Sequence, residues 1–261
     1  MKNGIKVISL YSGSTGNATV ISSPVGTLLI DAGKNAKQLT MALTEAGVFP
    51  EQIGAILLTH EHNDHTSALS VFLKKRPIPV HLPRGCVPKL EKDPAIAPHL
   101  CPHSPIFQET LCGMRVTSFA TPHDSLSSCG YRIEIPCDDG IFTLGYATDL
   151  GYVSRDVEAA LIGCDAVVLE SNHDVDMLMH GPYPYDLKMR VASRRGHLSN
   201  DDAALLTARL CATGTRALML AHLSAENNTP DTAYDACVSA IADASVHVSV
   251  ASPDQITPME L

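Results

Sequence analysis

An apolar segment that runs directly into a group of metal-type side chains constrains this chain more than any other feature. Residues 55–58 are apolar and predict a buried strand, and His60, His62, Asp64 and His65 follow within a few positions. On an extended chain, residues two apart share a face, so His60 and His62 can converge on one ion. A turn can then aim Asp64 and His65 at a second point. Imidazole and carboxylate groups suit transition metals. The alternative is a polar loop with scattered surface histidines.

Length and charge limit the classes of protein that this chain resembles. With 261 residues, of which 45% are hydrophobic, it is long enough to bury a stable core without disulfide bonds or structural metal ions. We expect a single domain over residues 1–261. No apolar run approaches the roughly 20 residues that span a bilayer, and we find no signal peptide, so we expect a cytoplasmic protein without membrane contact. The formal net charge of −9 argues against broad attraction to nucleic acid.

The eight cysteines are scattered and contain no Cys-x-x-Cys pair. They predict reduced, mostly buried thiols. One short pattern, with His99, Cys101 and His103, is a possible small metal site. It lacks a second ligand pair, which argues against that interpretation.

Alternating and continuous apolar runs predict the secondary structure. Predicted strands cover residues 5–10, 18–22, 27–30, 55–58, 80–82, 114–120, 130–135, 141–144, 166–169, 216–221 and 246–250; predicted helices cover 35–46, 66–75, 201–211 and 230–243. Residues 83–113 are rich in proline and predict either a functional loop or small helices.

Polar side chains follow several of these strands. His123, Asp149, Glu170 and His222 each lie at or just beyond the end of a predicted strand. Taken alone, His123 is better explained as an ordinary surface histidine, and the alternative for Asp149 is a helix N-cap. The motif at residues 60–65 favours a role in the same site for them.

Two further segments predict contacts with phosphate. Four cations fall at positions 188–195 of an otherwise acidic chain, and the segment ends in Gly-His-Leu-Ser before a helix that Ser199 or Asn200 caps. Arginine forks, a histidine and exposed N–H groups suit a phosphate, although a solvated charged face is the commoner explanation. The turn at residues 11–17 is either a plain hairpin or a second such loop. The predicted phosphate contacts are Ser14, Asn17, Arg190, Arg194, Arg195 and Ser199.

The His-x-His-x-Asp-His pattern after a buried strand resembles the signature of the metallo-β-lactamase superfamily. That resemblance implies an α/β fold, a four-layer αβ/βα sandwich with a two-metal site at one edge. It implies that Asp31 supports the metal loop from behind. It further implies that His60, His62 and His123 hold one ion, that Asp64, His65 and His222 hold the other, and that Asp149 bridges the two.

Further motifs resemble particular families within this superfamily. Glu170 and the Gly196-His197 pair are similar to motifs of the tRNase Z and cyclic phosphodiesterase branch. Four strings, at residues 12–17, 170–174, 181–200 and 220–228, resemble the WalJ (YycJ) family, whose members are regarded as metal-dependent 5′-to-3′ exonucleases on double-stranded DNA. The resemblance implies a DNA substrate and a dinuclear site that activates water. It also implies catalytic roles for Asp64, His197 and Glu170.

Several alternatives stay open. The two divalent ions are expected to be Mn²⁺ or Zn²⁺, with Fe possible, because all three accept His and Asp ligands. The acidic balance and the lack of a separate DNA-binding module favour a phosphodiesterase acting on cyclic nucleotides or cyclic ribose phosphates. A thioesterase and a non-catalytic metal-bound interaction protein are less consistent with these motifs. The oligomeric state is not predicted.

Overall fold

Fourteen strands and nine helices are found in residues 4–261, the part of the chain that the computed structural model describes. The strands are β1 (Lys6–Tyr11), β2 (Ala18–Ser23), β3 (Gly26–Ile30), β4 (Ile53–Leu57), β5 (Val80–Pro83), β6 (Leu100–His103), β7 (Gln108–Leu111), β8 (Met114–Ala120), β9 (Cys129–Cys137), β10 (Gly140–Ala147), β11 (Ala166–Glu170), β12 (Ala217–Ala221), β13 (His247–Val250) and β14 (Thr257–Pro258). The helices are α1 (Ala36–Glu45), α2 (Asn63–Thr66), α3 (Leu69–Lys75), α4 (Val87–Leu90), α5 (Arg155–Leu161), α6 (Val175–His180), α7 (Tyr185–Val191), α8 (Asn200–Ala212) and α9 (Pro230–Ala240).

The strands form two seven-stranded sheets of similar design. The first has the order β14-β1-β2-β3-β4-β5-β6, and the second has the order β13-β12-β11-β10-β9-β8-β7. In each sheet an antiparallel part, β1 to β3 or β7 to β10, continues into a parallel part, β3 to β6 or β10 to β13. The carboxyl ends of the parallel strands of one sheet lie at a common edge, where loops can bring polar side chains together.

Successive side chains of a strand point to opposite faces of its sheet, and the buried ones form three apolar layers. In β3, Leu28 and Ile30 point into the core between the two sheets, whereas Leu29 packs with Leu39 and Leu43 of α1 on the outer face. The second sheet repeats this arrangement, with α5, α8 and α9 packed on its outer face. Helices therefore cover both outer faces, and the predicted four-layer αβ/βα sandwich is confirmed. The single domain over residues 1–261 stays a prediction, and its residues 1–3 lie outside the described part.

The predicted helix over residues 66–75 is confirmed for residues 69–75, which form α3, but its predicted start is wrong, because a separate short helix, α2, ends at Thr66. The backbone N–H of Ala68 donates to the carbonyl of Ala32 at 2.9 Å, and the carbonyl of Asp64 accepts from Asn17 at 2.8 Å. Both partners of one helical hydrogen bond are thus used by neighbouring loops, and the helix is interrupted where the metal-type side chains lie.

Residues 83–113 contain more structure than the sequence predicted. They form α4 and the edge strands β6 and β7, one for each sheet. Short helices α5, α6 and α7 were also not predicted. No helix in the described residues is long and apolar enough to cross a membrane.

Candidate metal centre and active site

Loops at the ends of strands from both sheets meet at the candidate site. The loop after β4 carries His60 and His62, and the first turn of α2 follows at once with Asp64 and His65. From the second sheet come three residues that follow β8, β10 and β12, namely His123, Asp149 and His222. Because β8, β10 and β12 point in the same direction, their carboxyl ends lie at one edge of that sheet.

The seven side chains converge in the groupings that the resemblance implied. Possible ligand atoms of His60, His62 and His123 all lie within 4.8 Å of one another, and so do those of Asp64, His65 and His222.

Asp149 lies between the two groups. Its Oδ1 is 3.6 Å from Nε2 of His123 and 3.5 Å from Nε2 of His222, while its Oδ2 is 3.4 Å from Nε2 of His65. One carboxylate therefore faces both groups of side chains.

Asp31 and Thr59 hold two of the imidazoles from behind. Asp31 is fully buried, its Oδ2 lies 2.8 Å from Nδ1 of His65, and its Oδ1 accepts the backbone N–H of Thr59 at 2.9 Å. The Thr59 hydroxyl lies 3.0 Å from Nδ1 of His60. Both rings thus use Nδ1 for these contacts and turn Nε2 towards the centre, an arrangement that orients imidazoles as metal ligands.

Three residues of the site adopt left-handed backbone conformations. The φ angles of Asp31, Asp149 and His222 are 59°, 59° and 58°. Such angles cost about 1–3 kcal/mol for residues other than glycine, and they persist only where the surrounding structure enforces them. The fold therefore bears strain at three site positions, a pattern that is typical of functional sites.

The pKa values of the site histidines shift in two opposite directions. Burial, aided by the charge of His65, lowers the pKa of His60 well below its usual value, and burial and His123 lower the pKa of His62. Burial opposes charge on His65 too, but Asp31 and Asp149 outweigh it and raise the pKa of His65 to about 10. The carboxylates of this site therefore favour positive charge at its centre, which a bound cation would supply in place of a proton.

Unpaired buried atoms test whether metal ions fit these residues. Among residues 4–261, Nε2 of His60, Nε2 of His222 and Oδ2 of Asp149 are buried without a hydrogen-bond partner. Leaving such atoms unpaired is costly, whereas imidazole nitrogen and carboxylate oxygen are the donors that Zn²⁺ and Mn²⁺ accept. The residues present fit divalent metal ions.

Glu170 connects the candidate metal centre to His197. Its Oε1 lies 2.8 Å from Nδ1 of His197 and 3.2 Å from Nδ1 of His222, and its Oε2 accepts the backbone N–H groups of Leu150 at 2.6 Å and Leu198 at 3.1 Å. Burial alone would raise the pKa of Glu170, but the two imidazoles lower it to about 2. The same carboxylate raises the pKa of His197 against the effect of burial. Glu170 therefore stabilises the protonated form of His197.

A cavity of about 220 Å³ adjoins His197. Two of the predicted phosphate contacts, Ser14 and Arg190, line it. Nε of Arg190 lies 2.6 Å from Oδ2 of Asp124, and the other oxygen of Asp124 lies 3.3 Å from Nε2 of His123. Asp124 thus joins the cavity wall to the metal-type cluster.

The other predicted phosphate contacts are placed differently. Asn17 is buried, and its amide accepts from the N–H of Gly13 at 2.9 Å and approaches Nε2 of His65 at 3.1 Å and Oδ2 of Asp64 at 3.3 Å. The hydroxyl of Ser199 accepts a backbone N–H in the first turn of α8 at 3.2 Å, as the sequence had suggested for a cap. Their phosphate roles stay predictions, but these contacts use the polar groups inside the fold.

Neither Arg194 nor Arg195 lines the cavity. The guanidinium of Arg194 lies 3.9 Å from the ring centroid of Tyr152. Arg195 donates from Nε and Nη2 to the carbonyl of His123, at 3.3 and 3.2 Å. Arg195 therefore positions a candidate metal ligand in this structure, and a phosphate contact by either arginine stays a prediction.

Sequence reasoning missed four residues that the fold brings to the site. Asp124, Asn172 and Tyr183 line the cavity, and the buried hydroxyl of Ser12 accepts the backbone N–H of His222 at 2.8 Å. Asp124 follows His123 directly, and Ser12, Asn172 and Tyr183 lie within the strings at residues 12–17, 170–174 and 181–200, but no individual role was predicted for any of the four. The pattern of His99, Cys101 and His103 belongs to no cluster of three ligand-type side chains in residues 4–261.

Cysteine chemistry agrees with the sequence. Five of the eight thiols are buried, so the prediction of mostly buried cysteines is confirmed, and their reduced state stays a prediction.

Similarity to known proteins agrees with the geometry. The model of the β-lactamase superfamily domain matches residues 27–223. The exodeoxyribonuclease WalJ of Streptococcus pneumoniae is 34% identical over 266 residues, which cover 98% of this chain and 97% of the relative. The exodeoxyribonuclease YycJ of Bacillus anthracis is 34% identical over 239 residues, which cover 88% of this chain and 86% of that relative. The crystal structure of YhfI from Bacillus subtilis, a metallo-β-lactamase fold protein, superposes with a TM-score of 0.74 at 18% identity, covering 97% of this chain and 99% of that one.

Proposed function

Because the chain belongs to the metallo-β-lactamase superfamily and, within it, to the family of the exodeoxyribonucleases WalJ and YycJ, we propose that it is a metal-dependent phosphodiesterase that removes nucleotides from the 5′ ends of double-stranded DNA. The observation that carries this proposal is the convergence of seven ligand-type side chains with the His197–Glu170 pair beside one cavity. Metal ligands next to an imidazole that a carboxylate orients suit hydrolysis of a phosphodiester.

Two divalent ions would occupy the two groups of ligands. In the proposed arrangement His60, His62 and His123 hold the first ion, Asp64, His65 and His222 hold the second, and Asp149 contacts both. When bound, such ions supply a nucleophile from water and neutralise charge on the phosphoryl oxygens. Mn²⁺ and Zn²⁺ both suit these donors, and Fe is the third candidate.

His197 and Glu170 supply the protein's own part of the reaction. Glu170 holds Nδ1 of His197, which leaves Nε2 as the atom that can meet substrate. Because the carboxylate favours the protonated ring, His197 can give a proton to the leaving 3′ oxygen. Glu170 also holds His222, so one carboxylate orients both the proposed acid and a proposed metal ligand.

Side chains at the cavity rim would bind the DNA backbone. Arg190 offers a guanidinium at the rim and Ser14 offers an exposed hydroxyl. Such contacts offset the unfavourable net charge of −9 only locally, so we expect binding to weaken steeply as salt concentration rises.

A second candidate function rests on the cavity itself. Its volume of about 220 Å³ lies below the roughly 300–1,000 Å³ of common ligand pockets, and it admits one small phosphodiester more readily than a duplex. Together with the acidic charge, this favours a phosphodiesterase acting on cyclic nucleotides or cyclic ribose phosphates.

Digestion of end-labelled linear duplex DNA distinguishes the two functions. We expect the metal-loaded protein to release a 5′ label before a 3′ label, and the Asp64→Ala, His65→Ala double variant to release neither. Intact DNA alongside hydrolysis of a small phosphodiester would overturn the exonuclease proposal and favour the second function.

The role of His197 has its own test. His197→Ala should lose turnover by roughly 100-fold or more while it keeps its metal content, because Nε2 of this ring is assigned to the proton and not to a metal. The matched control is His247→Ala, whose side chain is 61% exposed on the far strand β13. A His197→Ala protein with the turnover of this control would refute the assignment.

A further inference from the structure

We infer that the cavity beside His197 seats the single nucleotide at the 5′ end of the substrate, with its base against Tyr183 and Leu187 and its 5′ phosphate at Arg190. This inference rests on the proposed function and adds a binding site to it. The chemistry of the leaving group gives the direction. When water forms a bond to phosphorus and the bond from phosphorus to the 3′ oxygen breaks, the terminal nucleotide departs from the side that supplies the proton.

His197 occupies that side. It forms part of the cavity wall, and Glu170 lies 2.8 Å from its Nδ1, which leaves Nε2 to meet the leaving 3′ oxygen. A 3′ oxygen within reach of its Nε2 therefore belongs to a nucleotide whose sugar and base lie in the cavity. A cavity of about 220 Å³ is small enough to hold one terminal nucleotide at a time, which is what removal of single nucleotides from a 5′ end requires.

The cavity wall has the chemistry of a nucleotide site. Tyr183 supplies an aromatic ring, Leu187 and Val191 supply apolar surface, and Ser14 and Arg190 supply polar groups. Aromatic rings stack on any base, so such a seat tolerates all four bases, as digestion along a duplex requires. Arg190 is already held at the rim by its 2.6 Å contact with Asp124, which fixes the direction of its guanidinium.

The seat is rigidly attached to the catalytic histidine. The backbone N–H of His197 donates to the carbonyl of Val191 at 2.9 Å. A Cβ on Gly196 would lie 2.1 Å from that same carbonyl oxygen and 2.3 Å from the carbonyl oxygen of Arg190, so the chain passes the end of α7 as closely as only glycine permits. The helix that carries Leu187 and Arg190 thus moves together with His197, and binding needs little reorganisation.

Tryptophan fluorescence provides a test that does not depend on catalysis. The chain contains no tryptophan, so Tyr183→Trp places a single indole in the cavity wall. Tyr185→Trp is the matched control, because that side chain is 73% exposed and does not line the cavity. Titration of the metal-free proteins with deoxyadenosine 5′-monophosphate should quench the first variant saturably and leave the control unchanged.

Two further experiments test which residues contact the phosphate and the base. Adding Arg190→Ala to Tyr183→Trp should weaken binding of the monophosphate about tenfold or more and leave binding of deoxyadenosine unchanged. Leu187→Trp, which fills the cavity, should slow release of a 5′ label at least tenfold relative to Leu205→Trp, a matched change at a site that is 59% exposed on α8.

The outcomes separate this inference from the proposed function. Equal quenching in the two tyrosine variants, or equal digestion rates in the two leucine variants, would overturn the terminal-nucleotide seat. If the unaltered protein digests no DNA while Tyr183→Trp is still quenched saturably, the exonuclease proposal fails, and the cavity is reassigned to a small nucleotide substrate.

Discussion

Replacement of Glu170 by glutamine tests how far one buried carboxylate organises this site. Its two oxygens accept hydrogen bonds from Nδ1 of His197 and from two backbone N–H groups, and Oε1 also lies 3.2 Å from Nδ1 of His222. Glutamine can keep the backbone bonds with its carbonyl oxygen, but its NH₂ group then faces both imidazoles. Each ring must lose its Nδ1–H or its hydrogen bond.

The expected cost follows from these contacts. Hydrogen bonds to a charged group contribute about 1.5–3 kcal/mol each, so loss of the two imidazole contacts costs up to about 6 kcal/mol. One ring can change tautomer and accept a hydrogen bond from the amide, so we expect Glu170→Gln to lower the free energy of unfolding of the metal-free protein by about 3 kcal/mol. A tautomer with its proton on Nε2 cannot bind metal through that atom, so metal affinity should fall about 10- to 100-fold if His222 is a ligand.

Urea denaturation, metal titration and turnover measure the three effects separately. The matched control is Glu45→Gln, an exposed glutamate near the end of α1, where a change within about 0.5 kcal/mol is usual. His197→Ala should reduce turnover without loss of metal, whereas Glu170→Gln should reduce both. A Glu170→Gln protein with the stability and metal affinity of the control would refute the organising role of this carboxylate.

Three other substitutions or titrations probe the supporting structure. Ser12→Ala leaves the buried N–H of His222 without its acceptor and should destabilise the protein by about 1–3 kcal/mol in urea, whereas Ser14→Ala, at an exposed hydroxyl, should change stability little; equal effects would contradict this. Burial lowers the pKa of His81 from 6.5 to about 4, so the unfolded chain binds a proton that the folded chain does not, and stability should fall as pH falls from 6.5 to 4; a His81→Gln variant with the same acid dependence would refute this cause. Burial raises the pKa of the Cys129 thiol to about 12, so this thiol should react with a disulfide reagent at pH 8 only after denaturation, and rapid labelling in the native protein would contradict its burial.

Local sequence was sufficient to predict eleven of the fourteen strands in residues 4–261 and the polar residues that follow several of them. Apolar runs at residues 55–58 and 166–169 identify buried strands without reference to the rest of the chain. The side chains at the ends of these runs, such as His60 and Glu170, are positioned by the strand that precedes them. The motif at residues 60–65 is likewise local, because its spacing alone allows two residues to share a face. Its resemblance to a known superfamily then identified the four-layer fold and the downstream partners.

Tertiary structure decided which polar groups remain available for chemistry. Asn17, Arg195 and Ser199 have the right chemistry for phosphate, yet in the fold their polar groups contact Gly13, the carbonyl of His123 and the first turn of α8. The contact of Glu170 with His222 spans 52 positions of the chain and depends on the parallel pairing of β11 with β12. The periodicity of apolar residues in the sequence indicates which face of each segment is buried, but it does not indicate which strands are neighbours in a sheet. For that reason the cavity, the strained backbone at Asp149 and the shared carboxylate became visible only when the two sheets were assembled.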